Sequence, residues 1–182
     1  MNPRVAKLPQ YKGFPVPYFA RIRMDGTPDF KITDEGKRQR CAIERRCWIC
    51  GGLLGHYTAF LGGPVSVANR LFVDGPMHKD CAVDALALCP FMLGKTDYAS
   101  NESFQPERHA EPIEFTRERP DQQKPPEKIG LLISRGFGIY QRRYLDGFVW
   151  FFQPFSPDAE PVLWQERSPN RQGDPYADTQ HQ

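Results

Sequence analysis

Cys47-Trp48-Ile49-Cys50 is followed, after 27 intervening residues, by His78-Lys79-Asp80-Cys81. These two pairs, each with a two-residue gap, constrain the chain more than any other feature. Thiolates and imidazole are the donors of closed, tetrahedral structural zinc sites, and close pairs at this spacing are their usual arrangement. Gly51-Gly52, directly after the first pair, lets the backbone turn so that amide N–H groups point at sulfur. The expected ligands of a structural Zn²⁺ are therefore Cys47, Cys50, His78 and Cys81. Four protein donors leave no coordination position for water or substrate, so such an ion stabilises and does not catalyse. Cys89 is an alternative ligand in place of His78, its competing role being a core thiol at a helix end. Cys41 falls inside a helix and reads as packing.

Five cysteines is an odd count. In a reducing compartment, paired spacing favours metal over disulfide. The chain has 182 residues, enough for one domain or a domain with a small appendage. Hydrophobic residues make up 40% of it, and 18 prolines and 15 glycines point to short elements joined by irregular connections. No apolar run approaches the roughly 18 residues that span a bilayer. The first residues lack the apolar stretch of a secretion signal. A cytoplasmic location without a membrane partner is the expectation.

The net charge of +2 is unevenly spread: residues 1–50 carry 11 Lys/Arg against 5 Asp/Glu, and residues 97–182 carry 10 against 14. A basic first third can attract a polyanion. The candidate polyanion-binding residues are Lys37, Arg38, Arg40, Arg45, Arg46 and, further on, Arg70. The competing reading is that this charge offsets the acidic last third and the thiolates, with Arg70 paired to Asp74 or Asp80.

The fold class is expected to be α+β. Residues 1–32 form an N-terminal arm and a hairpin, with strands at Tyr18–Arg23 and Pro28–Ile32 around an Asp25-Gly26 turn. Thr33 or Asp34 can cap a basic helix reaching about Arg46. Cys47–Gly52 forms a knuckle. Tyr57–Leu61 and Val65–Val73 read as two strands turned at Gly62-Gly63-Pro64. Met77–Cys89 reads as a mostly buried helix stopped by Pro90. A knuckle, a hairpin, then a helix with ligands in its first turn is the order of a treble-clef zinc module, assigned to residues 33–94. Residues 95–127 read as a Pro-rich linker. Residues 128–167 read as an antiparallel meander with strands at Gly130–Ser134, Gly138–Tyr144, Phe148–Phe152 and Pro161–Glu166, and a turn at Asp146-Gly147. Residues 168–182 have the composition of a disordered tail. The apolar run Phe148–Phe152 could stack bases or bind protein, but it fits a strand buried on both faces better.

One elaboration of the treble clef is a nuclease with a histidine, an asparagine and a histidine in this order. Here His56, Asn69 and His78 are the candidates for such an HNH-like site. His78 is already claimed by the metal, and the paired histidine at the first strand is missing. His109 and His181 carry no role.

Gly13-Phe14-Pro15-Val16-Pro17-Tyr18-Phe19, Arg46-Cys47-Trp48-Ile49-Cys50-Gly51, Gly75-Pro76-Met77-His78-Lys79-Asp80-Cys81-Ala82 and Cys89-Pro90-Phe91 form a succession of words. In them the chain resembles a family of uncharacterised proteins of bacteriophages, prophages and bacteria. The resemblance covers residues 8–95 and, more loosely, residues 129–165. It implies a phage or prophage context and no specific activity. The expected function is that of a zinc-stabilised, non-catalytic binding protein whose partner is a host or phage macromolecule, a protein before a nucleic acid.

Overall fold

The computed structural model describes residues 1–93, 126–144, 147–156 and 159–167. The architecture is α+β, with four small antiparallel sheets and short helices among the described residues. Most of the proposed linker 95–127, the tail 168–182, Asp146 of the proposed turn, His109 and His181 lie outside the described residues.

The chain begins with a one-turn helix, α1 (Pro3–Ala6), capped by the Asn2 side chain. The Asn2 backbone N–H and side-chain amide both donate to Asp84, at 2.6 and 2.7 Å. Val5 inserts into the core at 2% exposure. The arm that follows is a miniature ladder, β1 (Gln10–Tyr11) on β2 (Phe14–Pro15). Lys12 and Gly13 between them both have positive φ, 49° and 80°, which suits a two-residue hairpin turn. The expected hairpin follows as β3 (Ala20–Ile22) and β4 (Pro28–Thr33), with a register shift between Ala20 and Arg21. Its turn is built by Asp25, whose carboxylate accepts from the Thr27 N–H at 2.9 Å, and by Gly26 at φ 83°.

Of the two cap candidates, Asp34 caps α2 (Glu35–Ile43), accepting from the Lys37 N–H. The helix stops three residues short of Arg46, because Arg45 takes the left-handed conformation at φ 53° and turns the chain into the knuckle. Cys41 is fully buried on the inner face of α2.

The expected strand over Val65–Val73 is not formed. After β5 (Thr58–Gly62) the chain enters α3 (Pro64–Asn69), with Gly63 as N-cap and Pro64 in the first turn. Proline is preorganised for that position, and the αL residue Arg70 ends the helix. The return leg of the hairpin is therefore reduced to one antiparallel bridge between Ala59 and Met77, with both backbone bonds made, at 2.8 and 2.9 Å. α4 (Lys79–Leu88) then runs to the residue before Cys89-Pro90 and buries Cys81, Ala82 and Leu86.

The C-terminal strands do not form a simple meander. β6 (Lys128–Ser134) pairs along its length with β5, Thr58 opposite Ser134 and Gly62 opposite Gly130. Its other edge takes β9 (Leu163–Glu166). β7 (Phe137–Tyr144) and β8 (Gly147–Pro154) make a separate ribbon, tied back by a Phe72–Phe152 bridge. β5 has four successive buried residues, Thr58 to Leu61. A strand covered on both faces needs both edges satisfied, and with α3 occupying the local return, β6 supplies one of them. In β8, the adjacent residues Phe151 and Phe152 are both buried, as expected for a strand covered on both faces.

The core is a relay of rings. Phe19 stacks on Trp48 at 5.0 Å, Trp48 meets Phe152 at 6.5 Å, Phe152 meets Phe137 at 5.8 Å, and Phe137 meets Phe60 at 6.1 Å. Trp48 belongs to the first cysteine pair, so the knuckle sits at the junction of the arm, the central sheet and the C-terminal ribbon.

Candidate metal centre

The knuckle is closed by backbone bonds: the Cys47 N–H donates to Gly52 O at 2.7 Å and the Gly51 N–H to Cys47 O at 2.8 Å. Gly51 sits at φ 71°, and a Cβ there would lie 2.7 Å from the Tyr18 ring. Both the backbone angle and the close approach of Tyr18 exclude a side chain. The arm lies along one side of the knuckle, with the Tyr18 N–H donating to Ile49 O at 2.7 Å. The segment leading into α4 closes the other side, with the Trp48 N–H donating to Pro76 O at 2.9 Å. Gly75 packs directly against the Trp48 indole, leaving no room for a Cβ.

α4 delivers the second pair. His78 is its N-cap and Cys81 lies in its first turn. The His78 side chain does not cap the helix; its ring turns toward the sulfurs, with Nδ1 3.4 Å from Cys50 Sγ and 3.8 Å from Cys81 Sγ. Cys47, Cys50, His78 and Cys81 each offer one donor atom, and all four atoms lie within 4.8 Å of one another. These residues could hold a metal ion.

Neighbouring groups prepare the donors. His78 Nε2 lies 3.0 Å from Leu53 O. With the proton on Nε2 donated to that carbonyl, Nδ1 is left bare toward the cluster, as a ligating imidazole requires. The His78 backbone N–H donates to Cys47 Sγ at 3.5 Å. Cys47 and Cys81 are fully buried, and Cys50 and His78 are half-buried.

The four donors compete for protons. Burial alone would raise the Cys47 thiol, but bonds from Cys50, Cys81 and His78 outweigh it and hold Cys47 well below the usual thiol range. The cost falls on its neighbours. The bond to Cys47 raises Cys50, and the bonds to Cys47 and Cys50 raise Cys81. The bond to Cys47 also raises His78, against the opposing effect of its partial burial. One thiolate is thus stabilised at the expense of the remaining protons, and four such donors facing one another are the chemistry of a cation site.

The other two cysteines stand apart. Cys89 ends α4 outside the cluster, and burial raises its thiol. Burial, then the nearby Cys47, pushes the Cys41 thiol up to about 12.

The six basic candidates do not share one face. Lys37 Nζ donates to Ala20 O at 2.7 Å. Arg38 is buried, with its guanidinium 5.7 Å from the Trp48 ring and its Nε 3.6 Å from Glu35. Arg46 pairs with Glu44 at 2.6 Å and donates to Gly51 O at 3.0 Å, which ties it to the knuckle. Arg40 is exposed, and Arg45 reaches over the Phe137 ring at 4.5 Å. Arg70 is half-buried, with one guanidinium nitrogen enclosed and without a hydrogen-bond partner. The expected Arg70 pairing with Asp74 or Asp80 is not seen among the described residues.

Of the histidines proposed for a nuclease, His78 has both ring nitrogens engaged, and His56 is exposed on the loop before β5. The supporting Leu53 carbonyl was not foreseeable, because a backbone acceptor leaves no signature in residue type. Among the described residues, no helix is long and apolar enough to cross a membrane. Comparisons with family models, with curated proteins and with solved structures find no match for this chain.

Proposed function

We propose that the chain is a zinc-stabilised, non-catalytic binding protein. The observation that carries this reading is the closed set of four donors, three sulfurs and one imidazole nitrogen. Metal–sulfur bonds near 2.3 Å and metal–nitrogen bonds near 2.0–2.1 Å in a tetrahedron imply donor separations of about 3.5–3.8 Å. The His78 Nδ1 distances of 3.4 and 3.8 Å lie close to that range, within a donor set spanning at most 4.8 Å. Soft donors in this number favour zinc over hard cations. The ion would join the knuckle, reached from the arm, to α4, and so hold together segments that share few regular backbone ladders. With all four positions taken by protein, function moves to the surfaces.

A groove of about 300 Å³ between the N-terminal arm and the end of α4, walled by Phe14, Phe19, Leu88 and Met92, supports a protein or other apolar partner. The phage or prophage context rests on the sequence resemblance. Affinity capture from host lysate, with DNase-treated and chelator-treated controls, tests the reading. A partner retained after DNase and lost after chelation is the expected result; activity without any retained partner would contradict it.

Nucleic-acid binding is the second reading. Arg40 and Arg45, exposed at and just beyond the end of α2, favour it. Phosphate contacts would give an affinity that falls steeply with salt. A gel shift at low salt that disappears at moderate salt is expected, and no shift at low salt removes this reading.

A further inference from the structure

We propose that Arg45, His56 and Arg135 form a cleft that binds the phosphate of a nucleotide, with Phe155 as the stacking wall for its base. The cleft, about 400 Å³, is lined by these four residues together with Leu54 and the Gly55 and Gly136 backbones. That volume suits a small organic ligand. Among the described residues, its wall carries three basic side chains and no carboxylate.

The arginines are held without being neutralised. The Arg45 guanidinium lies 4.5 Å from the Phe137 ring centroid. Arg135 Nε donates to the Tyr57 hydroxyl at 3.1 Å, and its guanidinium lies 5.5 Å from that ring. Neither has a carboxylate partner among the described residues, whereas Arg23 and Arg46 pair with Asp29 and Glu44 at 2.7 and 2.6 Å. Guanidinium groups placed by aromatic rings keep their charge and their forked donors for an oxyanion.

The floor is kept bare by Gly136. It sits at φ 96°, and a Cβ there would meet Phe155 at 3.3 Å and Arg45 Nη2 at 3.6 Å. Phe155, 62% exposed, presents an apolar ring next to the cationic groups. A charged group beside an exposed aromatic face is how nucleotide phosphates and bases are taken together.

The site draws on four loops, after α2, before β5, between β6 and β7, and after β8. The β5–β6 pairing, with Thr58 opposite Ser134, brings the middle two together. The Leu54 N–H donating to Arg45 O at 2.9 Å adds the first. The Phe155 N–H on Gly136 O at 3.3 Å adds the last.

Calorimetry on the full, metal-loaded chain at low salt would test this, using 5′-AMP, inorganic phosphate and a short oligothymidylate as probes. AMP should bind at least tenfold more tightly than inorganic phosphate. Arg135→Gln should weaken AMP at least tenfold, and Arg21→Gln, on β3, should leave it unchanged. Phe155→Ala should weaken AMP while sparing inorganic phosphate. An oligonucleotide that outcompetes AMP would make the natural source a nucleic-acid strand; the reverse order would make it a free nucleotide. No binding of any probe at millimolar concentration would overturn the proposal. So would equal binding of AMP and phosphate, or AMP affinity unaltered by Arg135→Gln in a variant with unchanged thermal midpoint.

Discussion

Replacing Phe152 by alanine should separate the C-terminal ribbon from the knuckle. Phe152 is fully buried and meets Phe137 and Trp48 at 5.8 and 6.5 Å. Removing the ring exposes or empties roughly 100 Å² of apolar contact, about 2.5 kcal/mol at ~25 cal/mol per Å². A residual void of up to roughly 80 Å³ adds about 2 kcal/mol at ~24 cal/mol per Å³. Together they reach about 4 kcal/mol, within the range of about 3–5 kcal/mol seen for buried Phe→Ala changes. The backbone bonds joining Phe72 and Phe152 at 3.0 and 2.8 Å do not involve the side chain and should survive. Against a total stability of about 5–15 kcal/mol, this is a large fraction. For a chain of this size it lowers the thermal midpoint by about 8–16 °C. Thermal denaturation of the zinc-saturated protein would read the effect, with Phe155→Ala as a control expected to change stability by less than about 0.5 kcal/mol. A Phe152→Ala midpoint within about 3 °C of wild type would refute the ring relay as the element that joins the ribbon to the knuckle.

Three further outcomes follow from the site. Gly51→Ala should cost more than Gly13→Ala in denaturant titration. Both have positive φ, worth about 1–2 kcal/mol for a left-handed residue, but only Gly51 has the Tyr18 ring 2.7 Å from the new Cβ; equal costs would contradict that packing. Cys81→Ala should abolish stoichiometric metal binding while Cys89→Ala retains it, because Cys89 lies outside the cluster; the reverse result in a metal-release assay would redraw the ligand set. Metal affinity should rise with pH. The raised Cys50 and Cys81 thiols hold their protons tightly, and a bound ion must displace them. Stability supplied by metal is therefore lost as pH falls, with the logarithm of the apparent affinity changing by about two per pH unit below the thiol range. A competition titration giving a pH-independent affinity would exclude thiolate ligation.

Much of the site was legible in the sequence because its determinants are local. Two-residue gaps, the double glycine after Cys50 and the proline after Cys89 act within a turn of where they stand, and each appears where expected. Asp34 as a cap and Asp25-Gly26 as a turn are of the same kind. One departure is local and the others are long-range. Val65–Val73 has strand composition, yet Pro64 after Gly63 starts a helix, and the N1 preference of proline is the local signal for it. The partner of β5 comes from Lys128–Ser134, some 70 residues along the chain, and no local pattern announces which edge a strand will take. For the same reason the meander expected over residues 128–167 divides between two sheets. The cleft of Arg45, His56 and Arg135 depends on that pairing and so could not be read from residue spacing.

Cys47, Cys50, His78 and Cys81 are proposed to hold one structural zinc ion. Metal content of the full chain, purified without added metal, tests it most directly when measured beside Cys47→Ser and together with thermal stability before and after chelation. About one zinc per chain, absent in Cys47→Ser, with chelation lowering the thermal midpoint steeply, is the predicted result. A wild-type chain that carries no zinc, or that melts at the same temperature after chelation, would contradict the account.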